Sequence, residues 1–205
     1  MSRAPLHEPE TASQTAGPYL HIGLMPAAAG RIQGQGLTLP ALGAELAAVG
    51  VAGERIVIGG RVVDGAGAPV RDMVIEIWQA DARGIHASPT DPRHAQVSAG
   101  FRGFGRVCTD PDDGTFRIET IKPGPASGTD APHLNLWLLA RGLNSGLSTR
   151  LYFDDEDAAN ATDAVLGLID PPQRAETLLA RRTGPGAYTF DIRLQGEGET
   201  VFLDV

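Results

Sequence analysis

The residue types that could do chemistry gather in a few short stretches, of which Ala131-Pro-His-Leu-Asn-Leu-Trp-Leu-Leu-Ala-Arg-Gly142 is the most telling. Side chains on a β-strand alternate between faces, so His133, Asn135, Trp137 and Arg141 are expected to point one way and Leu134, Leu136 and Leu138 the other. The leucine face reads as core. A His-x-His pair in this register would aim two imidazoles at a single ion, but the second position is Asn135, whose neutral amide is a poor ligand for a transition metal. One imidazole does not make a metal centre.

The other reactive groups have plainer readings. His86 and His94 lie in a polar loop and read as surface residues, while His7 and His21 have no visible partner. Tyr19, Tyr152 and Tyr188 read as core or interface aromatics with hydrogen-bonded hydroxyls. Glu76 shares a strand face with Val74 and Trp78, and is expected to be a buried carboxylate paired with an arginine such as Arg106 or Arg150. The acidic run Asp154-Asp155-Glu156 could serve a metal-independent hydrolase, but a capped, solvated helix start is the simpler reading. Arg141, at a strand end, is by default a solvated surface residue.

The elements that must position these groups are mostly strands. From Arg55 the pattern turns to β: Arg55 to Asp64, a turn at Asp64-Gly-Ala-Gly-Ala-Pro69, then Val70 to Ala80, together an expected hairpin. Further strands are expected at Phe104 to Thr109, Phe116 to Ile121 across a Pro111-Asp-Asp-Gly114 turn, Leu134 to Ala140, Thr149 to Phe153, Ala187 to Leu194 and Thr200 to Leu203. In the Ala187 segment Tyr188, Phe190, Ile192 and Leu194 should face inward. Many short strands with Gly/Pro turns point to an antiparallel β-sandwich with a few short peripheral helices. One helix is expected from an Asp170 N-cap and Pro171 through Leu178 and Leu179 to Gly184, and a short one over Leu39 to Val49 with Leu42, Leu46 and Val49 on one side.

Composition bounds the rest. At 205 residues the chain fits one domain, 1–205, able to bury roughly 70% of its unfolded surface, with a polar, Pro-punctuated arm over 1–19. The single cysteine, Cys108, rules out an internal disulfide and suits a reducing compartment. Nothing at the N-terminus resembles a signal peptide, and no apolar run is long enough to span a bilayer, so a cytoplasmic protein without a membrane is expected. With 17 Lys plus Arg against 25 Asp plus Glu, the net charge of -8 and the lack of a basic cluster argue against nucleic acid. Any anion site must therefore rest on a locally placed arginine.

A set of motifs, all in one order, narrows the reading: Gln14-Thr-Ala-Gly-Pro-Tyr19, Glu76-Ile-Trp-Gln-Ala-Asp81, Phe104-Gly-Arg-Val-Cys-Thr-Asp110, Ile121-Lys-Pro-Gly-Pro125, Ala131-Pro-His133, Thr149-Arg-Leu-Tyr-Phe-Asp154 and Phe190 to Thr200. Together they resemble the intradiol ring-cleavage dioxygenases from about Glu10 to the C-terminus, and within them the chains that pair with an iron-holding paralogue.

That resemblance implies a ferric ion, Fe3+, held by two tyrosines and two histidines of the β partner chain. Phenolates suit ferric iron as hard, anionic donors. In this chain the family's tyrosine after the Lys-Pro-Gly-Pro turn is Ala126, the His-x-His pair is His133 and Asn135, and Arg93 takes the place of the other tyrosine. Only His133 of that set remains, so these positions read as vestigial and no metal or catalytic residue is expected in this chain. The resemblance further implies that Thr15, Gly17 and Pro18 of the arm, together with Arg141, border the partner's substrate pocket, where Arg141 would meet the carboxylate of protocatechuate. With O2 at that shared site, the αβ hetero-oligomer would open the ring between its hydroxyl-bearing carbons to 3-carboxy-cis,cis-muconate, in the β-ketoadipate route of aromatic catabolism. The alternative is a free-standing, transthyretin-like β-sandwich binding module with no oxygenase role.

Overall fold

The computed structural model describes residues 15–17, 19–32 and 43–204. Nine strands dominate: β1 (Arg55–Val63), β2 (Val74–Gln79), β3 (Phe104–Cys108), β4 (Thr115–Ile121), β5 (His133–Leu139), β6 (Leu147–Phe153), β7 (Leu179–Gly184), β8 (Ala187–Thr189) and β9 (Ile192–Arg193). The helices are short: α1 (Tyr19–Leu24), α2 (Pro26–Ile32), α3 (Asp157–Asn160) and 3-10 turns at His94–Gln96, Leu166–Leu168 and Pro172–Leu178. None of the helices described is long and apolar enough to cross a membrane.

The strands follow the order β3-β2-β5-β6-β7-β8-β1-β4, with β9 pairing β1. Two halves, β3-β2-β5-β6 and β7-β8-β1-β4, meet where Tyr152 and Phe153 pair in parallel with Leu179 and Ala180. The first and last strands of the order, β3 and β4, are consecutive in the chain, so the sheet nearly closes on itself. Inside lies one core to which β2 brings Ile75 and Ile77, β5 its three alternate leucines, and β1 and β4 bring Ile56, Ile58, Phe116 and Ile118. The leucine face of β5 is therefore core, as its alternation predicts. Tyr188, Phe190 and Ile192 are buried in the same cluster, with Leu194 packed against it.

The architecture departs from the sequence reading in several places, each for a tertiary reason. Pairing is not wholly antiparallel: β6–β7, β1–β8 and β1–β9 run parallel. The expected hairpin is not formed, because β1 pairs with β4, β8 and β9 while β2 pairs with β3 and β5. The turn chemistry itself is real, since Asp64 Oδ1 accepts from the Ala66 and Ala68 amides. Beyond it only an isolated Val63–Pro69 bridge forms before the chain crosses to the other half.

Ala187 to Leu194 is two strands, not one. The chain breaks at Phe190 and Asp191, where the Asp191 side chain instead of a backbone carbonyl accepts from the Arg61 amide. A Cβ on Gly60 would lie 1.8 Å from the Phe190 carbonyl oxygen, so this close crossing requires glycine. From Pro172 the chain makes a single 3-10 stretch and then turns into β7, with no side-chain N-cap. Pairing of Leu179 and Ala180 with β6, reinforced by the Asp154 amide donating to the Ala180 carbonyl at 3.0 Å, overrides the helical pattern. Thr200 to Leu203 forms only an isolated bridge to Ser148. Leu39 to Leu42 lie outside the described residues. Residues 43–49 beyond them form no helix: Ala47 makes an isolated bridge to Phe101, Leu46 is buried and Val49 is 96% exposed.

The acidic run is also more than a solvated helix start. Asp155 and Glu156 clasp Lys122 at 3.0 and 2.7 Å, Tyr188 donates its hydroxyl to Asp155 at 3.0 Å, and the Lys122 ammonium lies over the Phe153 and Tyr188 rings. This cluster ties the end of β4 to the ends of β6 and β8. Burial alone would lower the Lys122 pKa, but the Glu156 and Asp155 carboxylates outweigh it and raise the ammonium above its ordinary value. Replacing Lys122→Met leaves Glu156 unpaired and Asp155 with only Arg182 at 3.5 Å and the Tyr188 hydroxyl, and urea unfolding should show a loss of about 2 kcal/mol.

Candidate functional site

The residues singled out by sequence fall into two clusters at opposite ends of β5. His133 and Arg141 are eight positions apart along a nearly extended chain, roughly 25 Å. They cannot line one small pocket.

At the first end the outer face of the sheet carries a cross-strand row of Phe104, Trp78, Asn135 and Arg150. His133 and Tyr152 form the neighbouring pair. Asn135 accepts from Arg150 Nε at 3.1 Å, and Arg150 Nη1 donates to the Tyr152 hydroxyl at 3.1 Å. That hydroxyl donates to Asp163 Oδ1 at 3.0 Å, and Asp163 also takes the Ala131, Val165 and Leu166 amides. His133 is buried, its ring packs against Tyr152 at 5.5 Å, and its Nδ1 donates to the Ala131 carbonyl at 2.8 Å.

Above this row lies the 81–97 loop. Gly84 makes the approach possible, since its φ is +75° and a Cβ would lie 1.8 Å from the Pro125 carbonyl oxygen. Arg93 donates from Nη2 to the Gly84 carbonyl at 2.8 Å and to the Ala126 carbonyl at 3.4 Å, so Arg93 and Ala126 do meet. Its guanidinium is neutralised by Asp91 at 3.0 Å, and this contact holds the Asp91 carboxyl well below the usual range. His94 is exposed, but His86 is not a simple surface residue. Its ring stacks on Trp78 at 5.9 Å and 7°, with Nδ1 buried and lacking a hydrogen-bond partner.

These groups do not fit a ferric ion. Burial lowers the His133 pKa and leaves a neutral imidazole, but Asn135 offers an amide, Ala126 a methyl, and Arg93 and Arg150 bring positive charge. The Tyr152 hydroxyl is no phenolate: burial raises its pKa, and its proton is committed to Asp163. Among the described residues no group of three or more His, Cys, Asp or Glu could hold a metal ion.

The second end gathers the arm. Thr15 Oγ1 accepts from the Gly142 amide at 2.7 Å, and Gly17 offers its carbonyl to the Leu20 amide at the start of α1. Pro18 lies outside the described residues, as does His7. Arg141, 58% exposed at its side chain, donates from Nε to Asp72 Oδ2 at 2.6 Å. Neither Nη group donates to a described residue. Asp72 also accepts at its backbone carbonyl from His21 Nε2 at 2.9 Å, which gives the buried His21 a partner that sequence did not reveal. Gly17 has open space around it. Trp137 stands between the two ends, 40% exposed on the outer face.

Sequence reasoning missed Asp72, Asp163 and the Trp78–His86 stack, because each acts across 51 residues or more, through a loop, or through a ring contact without a local signal. Glu76 does pair with Arg106, at 2.5 Å. Arg150, the other expected partner for a carboxylate, instead bonds Asn135 and Tyr152.

The family model described as Dioxygenase matches residues 45–196. The protocatechuate 3,4-dioxygenase alpha chain of Pseudomonas putida is 49% identical over 96% of both chains, and that of Burkholderia cepacia 42% identical over 96% of this chain and 98% of its own. The beta chain of the Burkholderia cepacia enzyme is 36% identical over 72% of this chain and 67% of its own. Among solved structures, the dioxygenase domain of a dioxygenase and carbohydrate-binding protein fusion from Streptomyces sp. SirexAA-E superposes with a TM-score of 0.56 at 30% identity, over 77% of this chain and 88% of that one.

Asp163 offers a test of the first cluster. Burial opposes its ionisation, yet the Leu166 and Ala131 amides, the Tyr152 hydroxyl and the Val165 amide hold its carboxyl below the ordinary value. A depressed folded pKa contributes stability that is present above the unfolded value of about 3.9 and is lost as pH falls through the folded one. Asp163→Asn should cost about 1–3 kcal/mol at pH 7 and flatten the loss of stability below about pH 4, as read by denaturant unfolding across pH. Taken together, the matched domain and the end-to-end likeness to alpha chains show that the chain belongs to the intradiol ring-cleavage dioxygenase family.

Proposed function

We propose that this chain is the iron-free α subunit of a protocatechuate 3,4-dioxygenase, active only with a homologous β chain that holds the ferric ion. The ring opening of protocatechuate by O2 then belongs to the partner's ligands, and this chain supplies wall and charge. The full-length likeness to alpha chains supports this reading over a free-standing binding module. A reducing compartment such as the cytoplasm suits a sequence with a single cysteine, Cys108.

The observation that carries the proposal is the set of Arg141. Asp72 takes its Nε and leaves both Nη groups presented at an exposed corner, beside the Thr15–Gly142 contact of the arm. An arginine fixed at one side is prepared to meet a carboxylate with the other through charge-assisted hydrogen bonds. Thr15, Gly17 and Pro18 would line the same border, with Gly17 permitting close approach and Pro18 a compact wall. Asp72 is a positioning residue in this scheme.

The test is to purify the chain alone and together with a homologous chain bearing the two tyrosines and the His-x-His pair. Iron and turnover should appear only with the pair. In the complex Arg141→Ala should raise KM for protocatechuate by about 10- to 100-fold, corresponding to about 1.5–3 kcal/mol, with iron content unchanged. Asp72→Asn should raise KM less and leave kcat close to that of the parent. Stoichiometric iron and ring cleavage by the lone chain would overturn the proposal, and an unchanged KM in Arg141→Ala would remove the role given to that residue.

A further inference from the structure

We infer that His21 is a positioning residue for the Arg141 corner, locking the peptide that carries Asp72 and fastening the arm beside it, an inference that rests on the carboxylate role proposed above for Arg141. His21 lies in α1, directly after the Thr15 to Pro18 stretch, and is only 4% exposed. Its Nε2 bonds the Asp72 backbone carbonyl at 2.9 Å. A carbonyl can only accept, so Nε2 carries the proton. The arm is thereby pinned on both sides of the corner: Thr15 takes the amide of the residue after Arg141, and His21 holds the residue that binds Arg141.

The bonded carbonyl belongs to the peptide unit between Asp72 and Met73, and the amide of that same unit donates to Thr109 Oγ1 at 2.9 Å. Thr109 in turn donates its own amide to the Met73 carbonyl at 2.9 Å. The peptide is planar, so it is held from both ends, by α1 on one side and by the exit of β3 on the other. A fixed peptide fixes the direction of the Asp72 side chain, whose carboxylate takes Arg141 Nε at 2.6 Å. The Asp72 side chain is 17% exposed and that of Arg141 58%. A long, exposed arginine loses much rotamer freedom when it binds an anion, and an immobile Asp72 removes part of that cost beforehand.

Burying α1 does not itself call for a histidine. His21, Met25 and Ala29 follow one another at i, i+4 and i+8, all three are buried, and the Met25 and Ala29 amides continue the ladder at 2.8 and 2.9 Å. Tyr19 and Ile22 face outward, 79% and 46% exposed. An apolar side chain would complete the inward stripe, whereas a buried imidazole costs desolvation unless it is bonded. What the imidazole adds is direction. One buried hydrogen bond fixes the register of α1, which apolar contact alone leaves free to slide.

Three variants separate the donor from the packing. His21→Gln carries an amide Nε2 with the reach of the imidazole Nε2, His21→Asn is too short for the Asp72 carbonyl, and His21→Leu has no donor. Amide exchange in the full chain, followed by NMR, reads the Gly142 amide, whose partner is Thr15 Oγ1. Its rate should rise about tenfold in His21→Leu and His21→Asn and stay near that of the parent in His21→Gln. In the complex with the homologous chain, His21→Leu and His21→Asn should raise KM for protocatechuate about three- to tenfold with kcat and iron content unchanged, and His21→Gln should restore it. Added to Arg141→Ala, His21→Asn should bring no further rise. Thermal unfolding verifies that each variant keeps its fold, and should His21→Leu fail to fold, the Asn and Gln pair decides alone. Unchanged Gly142 exchange in His21→Asn, or equal acceleration in His21→Gln, overturns the clamp. Lower kcat or lost iron with KM unchanged marks His21 as merely structural and overturns it too. A parent KM in Arg141→Ala overturns the underlying role of Arg141, whereas a raised KM in Arg141→Ala beside a parent KM in His21→Asn overturns the positioning role of His21 alone.

Discussion

The whole sheet is carried from one half to the other by a pairing only two residues long, Tyr152 and Phe153 against Leu179 and Ala180. Because side chains alternate along β6, that joint sends Phe153 into the core against Tyr188 and Tyr152 to the opposite face against His133. The next residues, Asp154 and Asp155, bind the β7 backbone and the Lys122 ammonium. Core, outer-face cluster and ionic clasp therefore meet within four consecutive residues. A joint so short gains little from its own hydrogen bonds, and the side chains on both of its faces supply what the ladder does not.

The same economy orders the outer face. It holds guanidinium groups, an amide and a protonated phenol, each with its own partner. Arg93, held by Asp91 and two carbonyls, and Arg150, held by an amide and a hydroxyl, keep the face ordered. At the other end of β5 Arg141 and α1 converge on Asp72, whose side chain accepts from the first and whose backbone from His21 of the second, while Thr15 of the arm takes the neighbouring Gly142 amide. The chain has thereby kept the scaffold while separating its two polar ends by most of the length of a strand.

How much of this was legible in the sequence depended on how local each signal was. The alternation of Leu134, Leu136 and Leu138 fixed the buried face of β5, and the strands at 55, 104, 116 and 147 fall within a few residues of where their patterns place them. The residue types at Ala126 and Asn135 were equally plain, since a residue type needs no structure to be read. Partnership was not legible. The Asp64 turn forms with its expected chemistry, but nothing in Val70 to Ala80 says that β2 joins β5 instead of β1. The segment after Pro172 carries a helical pattern and becomes a strand because β6 waits for it, and Arg150 met an amide and a hydroxyl where a carboxylate was expected.

The parallel pairing of β1 with β8 and β9 joins stretches of chain that are 130 residues apart, as the Arg61–Asp191 contact marks. During synthesis the N-terminal strand must therefore wait, with one edge open, until nearly the whole polypeptide has left the ribosome. Such long-range closure places this domain among the slow folders. An exposed early edge of this kind is where a nascent chain is most in need of chaperone protection.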